Sequence, residues 1–532
     1  MVAVAVLGAA LVSGAPRSAR AQAPAAAGST SPSGDVPATG FGFDPALTLD
    51  PTLPQVGALP GGVAPAYGQK PLSEGEWRFD FHGFITAPLN AGINTRSNIA
   101  ATDPSKAAKP GQSNLVLHAP PVVPDDLETF SHTGVVPTTY AQINFSEGNS
   151  VVTGNVSIVA RQANASTTFL EPATQLGITD VFLSFLPPTK TVHVHGQIGA
   201  FTLRYGATGE YDEGRYGTPL IARISGVGEH LTARTSLGKL TFIGEEGLHG
   251  QTNKASASIT PDVWNNFADP GSGSTFVAHV HGAVAYANLV TVGAHFMRAF
   301  SQDERAGTDA LDGRIHVFAG DTRWTMGRFG HLYLAYSYTS ALQARTVSRI
   351  FSVLNSQGGL GLMQNYFGPL SNGTGTLNTV GGQYDLSIGK LVSYPVPFSG
   401  DGPDLYVSVF GLMTHVGSSD PSIDPATGES FGGRTKMKIG LEGTYSLLSW
   451  LAVSARYDRV QPNTDDNRYS FAVVSPRVIL RSNWQSTDQL VIQYSHWFNG
   501  NLTTVRTGDP PMTDPTQIPD ADMVSLSASM WW

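Results

Sequence analysis

Cysteine is absent from all 532 residues, which removes both a disulfide framework and any thiolate metal site. Charge is scarce as well. Asp, Glu, Lys and Arg make up 14% of the chain, against roughly 25% in an ordinary soluble protein. The net charge of -9 argues against nucleic acid as a partner. No apolar run approaches the ~20 residues that a membrane-spanning helix needs, so any crossing of a membrane must be made by strands. The glycine-rich stretches at 206–219 and 358–368 lack the Gly-Lys-Ser/Thr ending of a phosphate loop, and read as loop glycines. What is plentiful is turn formers: 59 Gly and 35 Pro suit many chain reversals and few long helices.

Three regions follow from composition. Residues 1–21 read as a secretory signal peptide. An apolar run from Val2 to Val12 precedes a small-x-small site at Ala19-Arg20-Ala21 or Ala21-Gln22-Ala23, although no Lys or Arg precedes the run. Residues 22–75 are rich in Pro, Ala, Gly and Ser without sustained periodicity, and are expected to form a disordered periplasmic extension. The other reading of that segment is a tether for peptidoglycan or a partner. Residues 76–532 carry the strand pattern.

That pattern is clearest in the last nine residues, "VSLSASMWW". Val524, Leu526, Ala528, Met530 and Trp532 fall on one side, and Ser525, Ser527, Ser529 and Trp531 on the other. A period of two is a β-strand with one apolar and one polar face. From Trp77 the same alternation sets Phe79, Phe81 and Ile85 against Asp80, His82 and Thr86. It recurs with Val192 and Val194 against His193 and His195, and with Val280 and Val284 against His279 and His281. Ile439 and Leu441 oppose Lys438 and Glu442 in the same way. Short links near 146–150, 187–190, 237–239, 287–289, 326–328, 447–450 and 482–487 alternate with long polar ones. The link at 389–403 is the overlong member of the short set, and residues 346–354 could form a helix within a long loop. Long loops at one end and short turns at the other predict an all-β, transmembrane antiparallel β-barrel of about 18 strands. The count falls to 16 if the weakly patterned residues 227–246 do not form strands. The apolar faces then point to lipid. Trp77, Tyr286, Tyr336, Tyr338, Tyr445, Trp450 and Trp532 suit interfacial girdles, or are aromatics of the kind strands ordinarily favour.

An alternating final strand closed by an aromatic resembles the signal that outer-membrane barrels present to their assembly machinery. With the leader and the loop asymmetry, the chain from Trp77 to Trp532 resembles Gram-negative porins. The resemblance implies an outer-membrane location with outer-membrane lipid, lipopolysaccharide and the barrel-assembly machinery as partners, and leaves a homotrimer open. It implies passive diffusion of small hydrophilic solutes through a water-filled lumen, with no cofactor. By loop order it also implies an infolded third outer loop carrying Glu210, Asp212, Glu213 and Arg215. Facing it about nine strands away would be Lys436, Lys438, Arg456 and Arg477, the two sets forming a pore constriction. The competing reading is local cancellation, since Glu442 and Asp458 lie among the bases and Arg215 and Arg223 among the acids.

Two rival classes remain: a structural or surface-assembly barrel with a loop-blocked lumen, and a barrel-embedded hydrolase. An enzyme is not expected. Ser495 and His496 are adjacent in sequence and so lie on opposite faces of a strand, and Asp465 and Asp466 have no nameable partner. Alternation puts His82, His193, His195, His279, His281, His295, His316 and His331 on the polar face. The His193/His195 and His279/His281 pairs sit about three strands apart, beyond ligand distance at ~4.8 Å per strand, so no metal site is expected.

Overall fold

The structure, a computed structural model, describes residues 76–92, 135–149, 151–163, 174–187, 189, 191–205, 208–209, 218–219, 222–252, 274–287, 289–302, 314–342, 375–392, 402–417, 434–461, 464, 471–482, 488–498, 503–506, 512–517 and 521–531. The strand pattern resolves into one 18-stranded sheet. In chain order its strands are β1 (Arg78–Gly92), β2 (Val135–Gly148), β3 (Val152–Ala163), β4 (Thr174–Phe185), β5 (Val192–Tyr205) and β6 (Ala222–Leu237). Next come β7 (Leu240–Thr252), β8 (Ser274–Tyr286), β9 (Val290–Gln302), β10 (Arg314–Thr325), β11 (His331–Leu342) and β12 (Gly375–Ser387). The last six are β13 (Asp404–Gly417), β14 (Arg434–Leu448), β15 (Leu451–Gln461), β16 (Phe471–Arg481), β17 (Gln489–Phe498) and β18 (Ala521–Trp531). Each strand pairs antiparallel with its sequence neighbours, and β1 pairs with both β2 and β18. The sheet therefore closes on itself and has no free edge.

Residues 227–246, weakly patterned in sequence, contribute to both β6 and β7, so the count is 18 and not 16. Every even strand joins the next odd strand by a short link, β12 to β13 excepted, and the nine links at the other end are longer. The short turns have local causes. Gly238, at φ 63°, begins the two-residue turn between β6 and β7, a backbone angle that glycine adopts without strain. At the β2–β3 turn the Asn149 side chain accepts from the Val151 and Val152 amides, both at 2.9 Å. A Cβ on Gly148 would stand 2.3 Å from the Val152 carbonyl oxygen, so only glycine fits there. The overlong link after β12 opens with a five-residue helix, Ile388–Val392. The segment 346–354, read as a helix, lies outside the described residues.

Side-chain polarity is inverted relative to a soluble protein. Val280 is 57% exposed and Met530 52% exposed on the outside, while Ser525, Ser527, His279 and His281 are buried on the inside. Val192, Val284, Ile439 and Leu441 also point outward and are exposed. Trp77, Tyr286, Tyr336, Tyr445 and Trp450 are likewise exposed; the aromatic Trp532 lies outside the described residues. An exposed apolar coat of this extent is stable only in lipid. Single-chain antiparallel barrels of even strand number with an apolar outside and a polar inside are outer-membrane barrels.

Candidate functional site: the inward face of the barrel

From β2 to β17, polar residues line the inside: Asn144, Ser157, Asp180, Gln197, His230, Glu245, Thr339, Gln383, Ser408 and Ser475 are examples, all buried. Many satisfy one another. Ser157 donates to Asn144 at 2.8 Å, Ser408 donates to Asp385 at 2.6 Å, and the Ser475 and Ser495 hydroxyls meet at 3.1 Å. Two charged constellations are set into this wall.

The first lies on β14, β15 and β16. Antiparallel register puts Glu442 beside Arg456 and Ser454 beside Arg477. Arg456 Nε donates to Asp458 Oδ2 at 2.7 Å and its Nη2 to Oδ1 at 3.3 Å. Arg477 Nη2 donates to Glu442 Oε1 at 2.5 Å, and Arg456 Nη1 lies 3.9 Å from Glu442 Oε2. Lys438 Nζ stands 5.4 Å from the centre of the Phe410 ring, a cation–π distance. Lys438, Arg456 and Arg477 therefore do face inward, but Glu442 and Asp458 sit among them. Within this cluster three bases therefore stand among two acids. Lys436 lies on the same strand, with its side chain outside what is described, and Glu210, Asp212, Glu213 and Arg215 lie outside the described residues.

The second constellation spans β6 to β10. His281 and Glu245 pair across β7–β8, His281 and His295 across β8–β9, and Gly293 and Asp321 across β9–β10. Glu245 Oε2 is 2.5 Å from His281 Nδ1, and its Oε1 is 3.3 Å from His230 Nε2. The His281 and His295 rings stack at 3.9 Å, and His295 Nε2 lies 3.4 Å from Asp321 Oδ2. Beside them His230 stacks on His279 at 6.0 Å, and the Phe201 ring meets His249 edge-on at 4.9 Å. The expectation of no metal site compared His193/His195 with His279/His281, which do lie on β5 and β8. It did not pair His295, also placed on the polar face, with His281 one strand away, nor either of them with Glu245 or Asp321.

Both constellations sit at one level. Glu245, His281, His295 and Arg456 each lie five residues from the short-turn end of their strand, Arg477 four and Glu442 six. At ~2.5 Å of axial rise per tilted residue, that is roughly 13 Å into the barrel. In an 18-stranded barrel opposite walls are nine strands apart, so β7 faces β16 and the acid–histidine wall faces the arginine wall.

Other candidate residues fall elsewhere. His316 is corrected from the polar face to the outside. Ile315 and Val317 are buried inward on β10, while His316 stacks on the outward Phe296 at 6.4 Å. Apolar residues had filled the inward positions of β10, so alternation read the wrong face. Ser495 is buried inside and His496 points outward, where His496 Nδ1 lies 2.6 Å from Asp522 Oδ1 and the Tyr494 hydroxyl also bonds Asp522. Of the expected assembly signal, Val524, Leu526, Ala528 and Met530 share the outward face of β18.

No protein-family model matches the chain, and no curated protein matches it. Among solved structures it is similar to OmpT, an outer membrane protein of Vibrio cholerae, at 10% identity over 86% of this chain and 98% of that one, with a TM-score of 0.37. It is also similar to the outer membrane channel DcaP of Acinetobacter baumannii, at 10% identity over 87% and 99%, with a TM-score of 0.40. Pseudomonas aeruginosa OccK8 (OprE) gives 10% identity over 85% and 98%, with a TM-score of 0.40. At these values the likeness assigns neither a family nor a solute, and the functional reading rests on the geometry of the wall.

Proposed function

We propose that the chain is an outer-membrane channel for small hydrophilic solutes and not an enzyme. The observation that carries this reading is the polar lining: a closed 18-stranded barrel with Ser, Asn, Gln, His and charged side chains facing inward around the wall. Barrels of this strand number are wide enough for an aqueous lumen. Opposed charged walls at one level would set which solutes pass, by width and by field. The case against a barrel hydrolase is that Ser495 and His496 lie on opposite faces, so they cannot act as a nucleophile–base couple. Outside, Arg298 over Phe300 at 5.3 Å and the neighbouring His316 and Arg314 make a basic strip near the long-loop end, suited to anionic lipid headgroups.

One observation favours a second reading, an occluded barrel. Lys438 is 0% exposed and Arg456 1% exposed, whereas long side chains lining an open lumen would meet water. Purified protein in a planar bilayer separates the two. Stepwise conductance supports the channel; membrane-inserted barrels that remain electrically silent support occlusion and sink the channel reading.

A further inference from the structure

We propose that His281, His295 and Asp321 form a binding site on the lumen wall for a borderline divalent transition-metal ion of the Zn²⁺ and Cu²⁺ class. One ligand atom from each of the three lies within 4.8 Å of the others. Ligand atoms around a tetrahedral ion at ~2.1 Å stand roughly 3.4 Å apart, so the widest-spaced pair has to close by at most about 1.4 Å. Side-chain torsions that tilt the ligand edges of the two stacked rings toward a common point supply that closure.

The surroundings are organised for this use. Glu245 accepts a hydrogen bond from His281 Nδ1–H at 2.5 Å, which leaves the Nε2 lone pair pointing away from Glu245. A carboxylate behind a histidine is the arrangement that orients metal-binding imidazoles. Glu245 is itself held by His230 at 3.3 Å. In front, His281 Nε2 and Asp321 Oδ1 converge over Gly293: a Cβ there would stand 2.6 Å from each. The bland alternative is polar packing, in which buried nitrogens find hydrogen bonds. His295 has only a long 3.4 Å contact from Nε2 to Asp321 Oδ2, a fellow ligand, and among the described residues its Nδ1 has no hydrogen bond. Two imidazoles and a carboxylate with no thiolate select borderline ions over Cu⁺ on one side and over Mg²⁺ or Ca²⁺ on the other.

The test uses the folded full chain in detergent, with ZnCl₂ alone in calorimetry and CuCl₂ alone in electron paramagnetic resonance. Expected are one Zn²⁺ per chain and a Cu²⁺ spectrum with splitting from two nitrogens. His281→Ala with His295→Ala should weaken binding at least a hundredfold, and Glu245→Gln by about ten- to a hundredfold. Gly293→Ala should weaken it comparably with all three ligand residues still present, because its methyl would stand 2.6 Å from His281 Nε2 and Asp321 Oδ1 and push those side-chain tips aside. His193→Ala, on β5, should change nothing. Heat-modifiable migration in gels verifies that each variant is folded. Zn²⁺ binding no tighter than roughly millimolar, or binding that survives the double histidine change, overturns the site. Because binding is read in detergent, a silent channel in a bilayer would refute the proposed function without touching this result.

Discussion

A single arginine on the outside of β8 should report where the bilayer lies. Val280 is the seventh of the 13 residues of β8, and its side chain is 57% exposed on the apolar face. Strand tilt gives ~2.5 Å of axial rise per residue, so each end of β8 lies roughly 15 Å away, just beyond a ~25 Å apolar band centred on Val280. Val280→Arg should therefore cost about 2–4 kcal/mol, a factor of roughly 30 to 1,000 in the folding equilibrium. Leu289, 53% exposed in the turn after β8, lies outside that band, and Leu289→Arg should cost only ~0–1 kcal/mol. Val284→Arg, four residues toward the turn, should fall between. The assay is reversible denaturant unfolding of the barrel in bilayers of one thickness, all three variants against the unchanged protein. Equal costs at Val280 and Leu289 would refute the depth assignment. No cost at Val280 would refute the lipid face itself.

Asp458→Asn, which leaves Arg456 buried without its bidentate partner, should destabilise the barrel by about 3–5 kcal/mol, and joint Arg456→Met with Asp458→Leu by markedly less, as the same unfolding titration will measure. Deleting Trp531 and Trp532 should leave the chain in periplasmic aggregates; heat-modifiable barrel recovered from outer membranes would contradict the assembly signal. Removing residues 22–75 should leave folding and conductance nearly unchanged, and loss of barrel formation on gels would make that segment part of the structure. Glu442→Gln frees Arg477 and Arg456 of an acid on the inward wall and should shift the reversal potential in a salt gradient toward anion selectivity.

The period of two carried most of the fold because lipid demands it. A strand with lipid on one side and a polar lumen on the other must alternate, so Val280 and Val284 against His279 and His281 could be assigned from the text alone. Where the inward face is itself apolar, the rule has no purchase, and β10 misled: Ile315 and Val317 are buried inside while His316 faces out. The first constellation was legible as residues but not as pairs. Alternation put Lys438, Arg456 and Arg477 inside, yet the pairing of the two arginines with Glu442 and Asp458 depends on side-chain reach. The histidine cluster was recoverable in part. A tight turn sets Tyr286 opposite Val290, and counting five residues back and five forward brings His281 opposite His295. The same count from Leu237 and Leu240 sets Glu245 beside Thr232 on the lumen wall. Asp321 was beyond reach, because β9 and β10 are joined by a long link whose length does not determine register.

The two constellations place opposite demands on the wall. Arg456 and Asp458 are buried and mutually satisfied, so a passing solute would have to compete with a bidentate ion pair to engage either. On the facing wall, Glu245 is also engaged, by two histidines, but His295 has only a long 3.4 Å contact to Asp321, and its Nδ1 has no hydrogen bond among the described residues. Coordination capacity is therefore left over on the β6–β10 side and largely consumed on the β14–β16 side. A polar wall needs its groups satisfied to be stable and left partly unsatisfied to bind cargo. The arginine wall has the first property and the histidine wall retains some of the second. Under the proposed channel reading, selectivity should accordingly be more sensitive to changes at His281, His295 and Asp321 than to neutralising the basic patch as a whole.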